Sequence, residues 1–284
     1  MKTKFPPSRD VPKNYLSLFL NGLIGKFQPI YIYSFGSKIE SFVKAGCFTE
    51  HVNQETHHYF LLLITESNTR IDHEVQEYAS THYNFGSITI LSHGQIAIKE
   101  AINDGSRFFI SIYNEGQLLY SHNGLSNFEH IGKVDPEKSV MKAQQYLEHR
   151  LSLAEGFLQG ARECLVQKKY TIVSFMLHQA VEQCCILLIK VHLGYKSEIH
   201  NLLRLLRLCQ SFSDRPIKTF LSGSPKDEKL FHLLLKSYSE SRYGSSFSIT
   251  QNDAESLYER VTSFILLTDE MCKAKIEILK AGII

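Results

Sequence analysis

Apolar side chains follow different periods in the two halves of this chain. From Pro136 onward they recur every three or four residues. Val140, Ala143, Leu147, Leu151, Ala154 and Leu158 make one stripe, and the spacing predicts a long amphipathic helix over 136–168. The next stretch, 171–193, is apolar nearly all round. It predicts the central helix of a bundle, closed by Gly194 as a C-terminal cap. Ser197 then reads as the cap of a third helix to Gln210, and 212–223 as a loop containing Pro216. Ser224-Pro225 opens a fourth helix running to about Tyr243, with the proline at its first position. Thr250 with Asp253 opens a last long helix in capping-box fashion.

The first half alternates short apolar runs with helical ones. Pro12–Gly25 predicts a helix, Ile30–Ser34 a strand, and Phe35-Gly36-Ser37-Lys38 a turn into a short helix over 39–44. A strand, a Gly-Ser turn and a helix start set backbone N–H groups and a hydroxyl where a phosphate fits. Gly36, Ser37 and Lys38 are therefore candidate ligand residues, although the same dipeptide also serves as a plain connection. Residues 47–57 read as a polar loop. His58–Thr65 (HYFLLLIT) is continuous enough for a doubly buried strand. A helix over 70–80, a strand over 86–91 and a helix over 95–103 follow. Arg107–Tyr113 and Gln117–Tyr120, flanking Asn114-Glu115-Gly116, predict a closing hairpin.

These elements make two domains, 1–125 and 136–284, joined by a polar linker over 126–135. The first is α+β, a small mixed sheet with helices. The second is an all-α up-and-down bundle.

Composition changes this picture little. The chain of 284 residues is 43% hydrophobic and 21% charged, as a globular protein is. Its net charge of +2 divides unevenly. Residues 1–135 carry 11 basic and 13 acidic side chains, and the remainder 20 and 16. The basic excess of the second half permits an anionic partner without the density of a dedicated nucleic-acid binder. No apolar run reaches the roughly 20 residues of a membrane span, and the N-terminus lacks a signal peptide's apolar core. The expectation is a cytoplasmic protein with no membrane partner. Cys47, Cys164, Cys184, Cys185, Cys209 and Cys272 include no C-x-x-C pair and read as reduced thiols. His51, His57, His58, His73, His82 and His93 crowd the first half without the spacing of a zinc site, so no metal is expected.

Three pieces of the first half resemble the nucleotidyltransferase domain of the polymerase-β-like superfamily: the strand with Gly36-Ser37, the run HYFLLLI, and the ending FFISIYNEGQLLY. Active members of that family place an Asp-x-Asp at the start of the buried strand to hold Mg²⁺. Here that place reads His57-His58-Tyr59-Phe60, and no Asp-x-Asp occurs anywhere in the chain. The resemblance therefore implies a nucleotidyltransferase-like domain without transfer activity. It requires no cofactor, and Mg-nucleotide binding finds no carboxylates to support it.

The second half resembles the HEPN domain. LHQAVEQCCILLIK matches its second-helix core, IHNLLRLL its His-bearing third helix, and SESRYGSSFSITQNDAESLYERV its Arg-Tyr loop and last-helix entry. Ribonucleases of that family use an Arg followed, after four to six residues, by a His; no Arg of this chain has a His at that spacing. The resemblance implies a homodimer formed through the helical domain and a nucleotide or RNA ligand. The implied role is non-catalytic binding, in a toxin–antitoxin-like, stress or defence setting. A ribonuclease with a rearranged site and a purely structural partner are the alternatives. His178, Glu182, His200, Tyr238, Arg242 and Tyr243 are the ligand candidates. His178 and Glu182 share one helix face, as do Tyr238 and Arg242. The expectation is that the two stripes meet, with Arg242 paired to Glu182.

Overall fold

A computed structural model describes residues 11–124, 132–243 and 247–282, without the side chains of 11–14, 44, 46, 49–54 and 241–243. The chain divides into two units. One holds residues up to Gly132 except Ser106–Phe108, and the other holds Lys133 onward together with Ser106–Phe108.

The first unit is built on a four-stranded mixed sheet in the order β3-β2-β1-β4. Strands β1 (Tyr31–Gly46) and β2 (Thr49–Thr65) are antiparallel. Strand β3 (Gly86–Gly94) runs parallel to β2, and β4 (Gln117–Ser121) antiparallel to β1. One sheet face, with Ile32, Leu61, Leu63, Ile88 and Ile90, packs on Phe19, Leu20 and Leu23 of α1 (Val11–Phe27). The same core takes Val75 and Ala79 of α2 (Asp72–His82). The small helix α3 (Gln95–Asn103) buries Ile98.

Three expectations for this unit are corrected. Gly36-Ser37-Lys38 is not a turn, and 39–44 is not a helix: β1 continues to Gly46 and pairs with β2 as far as Thr49. Likewise 47–57 is no loop, because β2 begins at Thr49. The glycine marks a bulge between Ser34 and Gly36, not the end of a strand. A β-carbon on Gly36 would lie 3.3 Å from the Phe60 ring, so the missing side chain makes room for that ring. Nor is Arg107–Tyr113 a strand; it forms helix α4 (Arg107–Glu115), with Phe108, Phe109, Ile110 and Ile112 buried. The Gly116 N–H bonds the Ile112 carbonyl at 2.8 Å and ends the helix, and β4 pairs with β1 instead.

The second unit is all helical. Asp135 caps α5 (Pro136–Val166) by accepting from the Lys138 N–H. Helix α6 (Tyr170–Leu193) runs through the core, with fifteen of its residues buried, and ends on Gly194 at φ +76°. It is long and apolar enough to cross a membrane, yet 78% of its most apolar window is buried inside the protein. That is the pattern of a bundle's core helix. Helix α7 (Leu202–Cys209) starts later than expected, with Asn201 as the cap in place of Ser197. The expected loop contains a short helix, α8 (Arg215–Phe220). Helices α9 (Pro225–Tyr243) and α10 (Gln251–Lys280) complete the unit. Cys184, Cys185, Cys209 and Cys272 are buried thiols, and burial pushes Cys184 up to about 12.

Asp227, in the first turn of α9, ties that helix to α10. Ser222 donates to its Oδ2, and Arg260 Nη2 donates to Oδ1 at 2.5 Å. The Ser222 hydroxyl first, and Arg260 next, hold this carboxyl down at about 2 against an ordinary 3.8. The folded value lies below the unfolded one, so the contribution is complete above about pH 4 and is lost as pH falls toward 2. Asp227→Asn is expected to cost about 1–2 kcal/mol at neutral pH and to flatten acid unfolding in that window, measured by urea titrations across pH. An unchanged acid limb would show the ion pair contributes nothing.

Candidate functional site

The sequence-predicted candidates fall in two places. Gly36, Ser37 and Lys38 lie within β1 opposite Phe60, Tyr59 and His58. Lys38 donates to Glu40 at 2.5 Å. With no strand-to-helix turn there, no helix N-terminus faces a phosphate, and the expected anion turn does not form.

The helical candidates come together. Helix α6 needs every side of its surface apolar to sit at the centre of the unit, and its polar patch interrupts that surface on one side. There the His178 ring stacks on the Tyr238 ring of α9, with centroids 4.9 Å apart and planes at 27°. Ser237, the preceding residue, donates to the Ser174 carbonyl at 3.1 Å and fixes α9 along α6. One turn on from His178, Glu182 is 5% exposed. Its Oε1 meets His200 Nδ1 at 3.0 Å. Its Oε2 is buried and has no hydrogen-bond partner among the described residues. Beside it, Gln183 Oε1 accepts from Arg150 Nη1 of α5.

His200 is held from below while its ring stays open to water. It sits in the extended segment before α7. Ile199 anchors that segment in the core, the Ile199 N–H bonds Ser197 Oγ at 3.2 Å, and Asn201 caps α7. The His200 side chain is 67% exposed, against 6% for its carboxylate partner. A carboxylate on Nδ1 fixes the ring and directs Nε2 to whatever approaches from solvent. The arrangement presents an oriented imidazole, an aromatic pair, and a buried carboxylate oxygen that accepts from no donor among the described residues. It can accept a hydroxyl or amino donor and can hold or move a proton at Nε2.

Glu182 pairs with His200, a partner that the sequence does not point to. As the only acid of α6 it is conspicuous, but helical spacing sets it opposite Arg242. Arg242 and Tyr243 end α9, and their side chains lie outside the described residues. The signal for His200 is its place beside the capping Asn201, which fixes where its segment leaves the core. Among the described residues, no three His, Cys, Asp or Glu converge as metal ligands would.

This is an all-α unit whose core helix carries a buried polar patch, called the notch below, following a small α+β unit. Residues 137–271 match the family model of the HEPN domain. The helical unit is a HEPN domain, and His178, Glu182, His200 and Tyr238 all lie within the matched span. Among solved structures the chain is similar to a nucleotidyltransferase-like protein from Exiguobacterium sibiricum 255-15. The two are 12% identical, with 93% of this chain and 75% of that one covered, at a TM-score of 0.22. That likeness is too loose to argue for a shared fold or activity. No curated protein matches.

Proposed function

We propose that this chain is a binding protein for a nucleotide or a segment of nucleic acid, seated in the notch of the HEPN domain, and that it does not turn its ligand over. The observation that carries this reading is the Glu182 carboxylate. It is buried, one oxygen engages an exposed imidazole, and the other has no hydrogen-bond partner among the described residues. A buried carboxylate oxygen left without a donor costs stability. A ribose hydroxyl or an exocyclic amine would supply the donor, and the His178–Tyr238 pair offers an apolar wall for a base. The missing Arg-x(4–6)-His and Asp-x-Asp patterns argue against the chemistry of either resembled family.

One observation favours a second reading. The Glu182–His200 dyad is a competent general base for a 2′-hydroxyl, as a ribonuclease with a rearranged site requires. A single experiment separates the two. The full chain is melted with a panel of mononucleotides and short RNAs, in the presence of chelator, and the RNAs are then inspected for cleavage. The first reading expects at least one ligand to raise Tm, no cleavage, and loss of the shift in Glu182→Gln. Cleavage abolished by His200→Ala would replace it with the second. No shift from any ligand would overturn both and leave a structural partner protein.

A further inference from the structure

The C-terminal end of α6 gathers cations without acids to match them. Arg107, which belongs to the helical unit, is 8% exposed, and its Nη2 donates to the Val191 carbonyl at 2.6 Å. Lys190 Nζ donates to the Gly194 carbonyl at 3.1 Å and lies 5.6 Å from the centre of the Tyr146 ring. Arg150 lies 5.6 Å from that same ring. Burial, and then repulsion from Lys142, Arg107 and Lys196, lowers the Lys190 ammonium to about 8. Burial and Arg107 together lower Lys275 of α10. A β-carbon on Gly194 would come within 3.0 Å of Arg107 Cβ and Nε, so the left-handed cap leaves space for that side chain.

Capping explains only part of this. A helix C-terminus offers roughly half a negative charge. Arg107, Lys142, Lys190, Lys196 and Lys275 bring five positive ones, leaving a surplus of about four and a half. Among the described residues no ion pair engages any of the five. Unmatched cations that are buried or half-buried cost stability, and an arriving anion would relieve that cost.

Resting on the nucleic-acid form of the function proposed above, we infer that this end of the HEPN domain holds the phosphodiester backbone of a single strand, along a track that adjoins the Glu182 notch at Arg150 and leads away from it. The layout favours a backbone over one phosphate group. Lys142, Tyr146 and Arg150 follow one another at single-turn spacing on α5, and Lys142 and Arg150 are about 12 Å apart along the helix. That spread suits successive phosphates. Lys190 and Arg150 both lie 5.6 Å from the centre of the Tyr146 ring, and contacts to phosphate carry no sequence information, so the site should tolerate any sequence. Exposed Lys142 and Lys196 would meet the strand, and buried Arg107 would supply field from beneath.

The test uses the full chain and a labelled single-stranded RNA of about 20 mixed-sequence nucleotides, with affinity measured between about 50 and 200 mM salt. Lys142→Gln/Lys196→Gln removes two exposed charges without touching the core. Affinity is expected to fall on the order of tenfold, and the slope of log K against log salt to shrink by about 1.4, which is about 0.7 for each phosphate no longer neutralised. Lys218→Gln/Lys236→Gln, two exposed lysines elsewhere on the unit, is expected to leave the slope alone. Equal slopes for the first double variant and the wild type would overturn the site, as would an equal loss from both double variants. Absence of RNA binding would overturn it too. The notch reading is decided separately, by the mononucleotide shift and its loss in Glu182→Gln.

Discussion

Gly86→Ala is expected to disrupt the sheet of the first unit. Gly86 opens β3 opposite His57 of β2, at φ +139°, a conformation that L side chains rarely adopt. A β-carbon there would stand 2.0 Å from the His57 carbonyl oxygen and 2.6 Å from its nitrogen. Both are backbone atoms, and the His57 N–H is itself bonded to the Phe85 carbonyl at 2.8 Å. No rotamer change relieves such a clash, so the parallel pairing must open or the chain must bend. The expected loss is about 3 kcal/mol or more. Hydrogen exchange should quicken in 57–65 and 86–94 and stay unchanged in α10. Gly36→Ala is the control, since its nearest neighbour is a ring carbon at 3.3 Å that can shift. Equal costs at the two glycines would show that the backbone at Gly86 yields easily.

The same two glycines mark what the sequence can and cannot convey. Gly86 ends a polar stretch and begins a β-branched run, and the pattern puts the start of its strand in the right place. Gly36 lies inside a strand, where a glycine signals either a bulge or a turn, and the pattern alone does not choose. The choice comes from the pairing of 39–44 with the far side of the hairpin, an interaction between segments with no local signature. The run RFFISIY fits both periods. Its aromatic and β-branched residues favour a strand, while Phe108, Phe109, Ile112 and Tyr113 also fall on one helical face, and the helix wins. The long helices of the second unit are legible because their stripes run for many turns without a conflicting signal. The notch is half legible. Glu182 is conspicuous as the lone acid of an apolar helix, whereas its partner His200 sits in an extended segment, where no periodicity predicts which way a ring points. The cations at the end of α6 come from separate segments of the chain, and only folding brings them together.

Phe264→Ala should be the most damaging single truncation in the helical unit. Phe264 is 0% exposed on α10, and its ring meets Phe220 of α8 edge-on at 4.9 Å and 70°. Phe220 in turn packs at 5.8 Å on Phe231 of α9. Three helices thus meet on three rings, and α9 is the helix that carries Tyr238 to the notch. Removing a fully buried ring forfeits its transfer energy and leaves a cavity that the surrounding helices fill only in part, at a cost of about 3–5 kcal/mol. Phe264→Leu keeps most of the volume and should cost about 1.5 kcal/mol or less. Phe220→Ala removes the opposite side of the same ring pair, so the double variant should cost less than the sum of the two single ones. Urea unfolding followed by hydrogen exchange in α6 and α10 measures all three, with the sheet of the first unit as an internal reference. Strict additivity would show that the rings act separately. A wild-type midpoint for Phe264→Ala would place the stabilising core elsewhere along α6. If the ring cluster holds α9 in place, Phe264→Ala should also weaken the ligand-induced Tm shift of the notch, even though Phe264 is none of the notch residues.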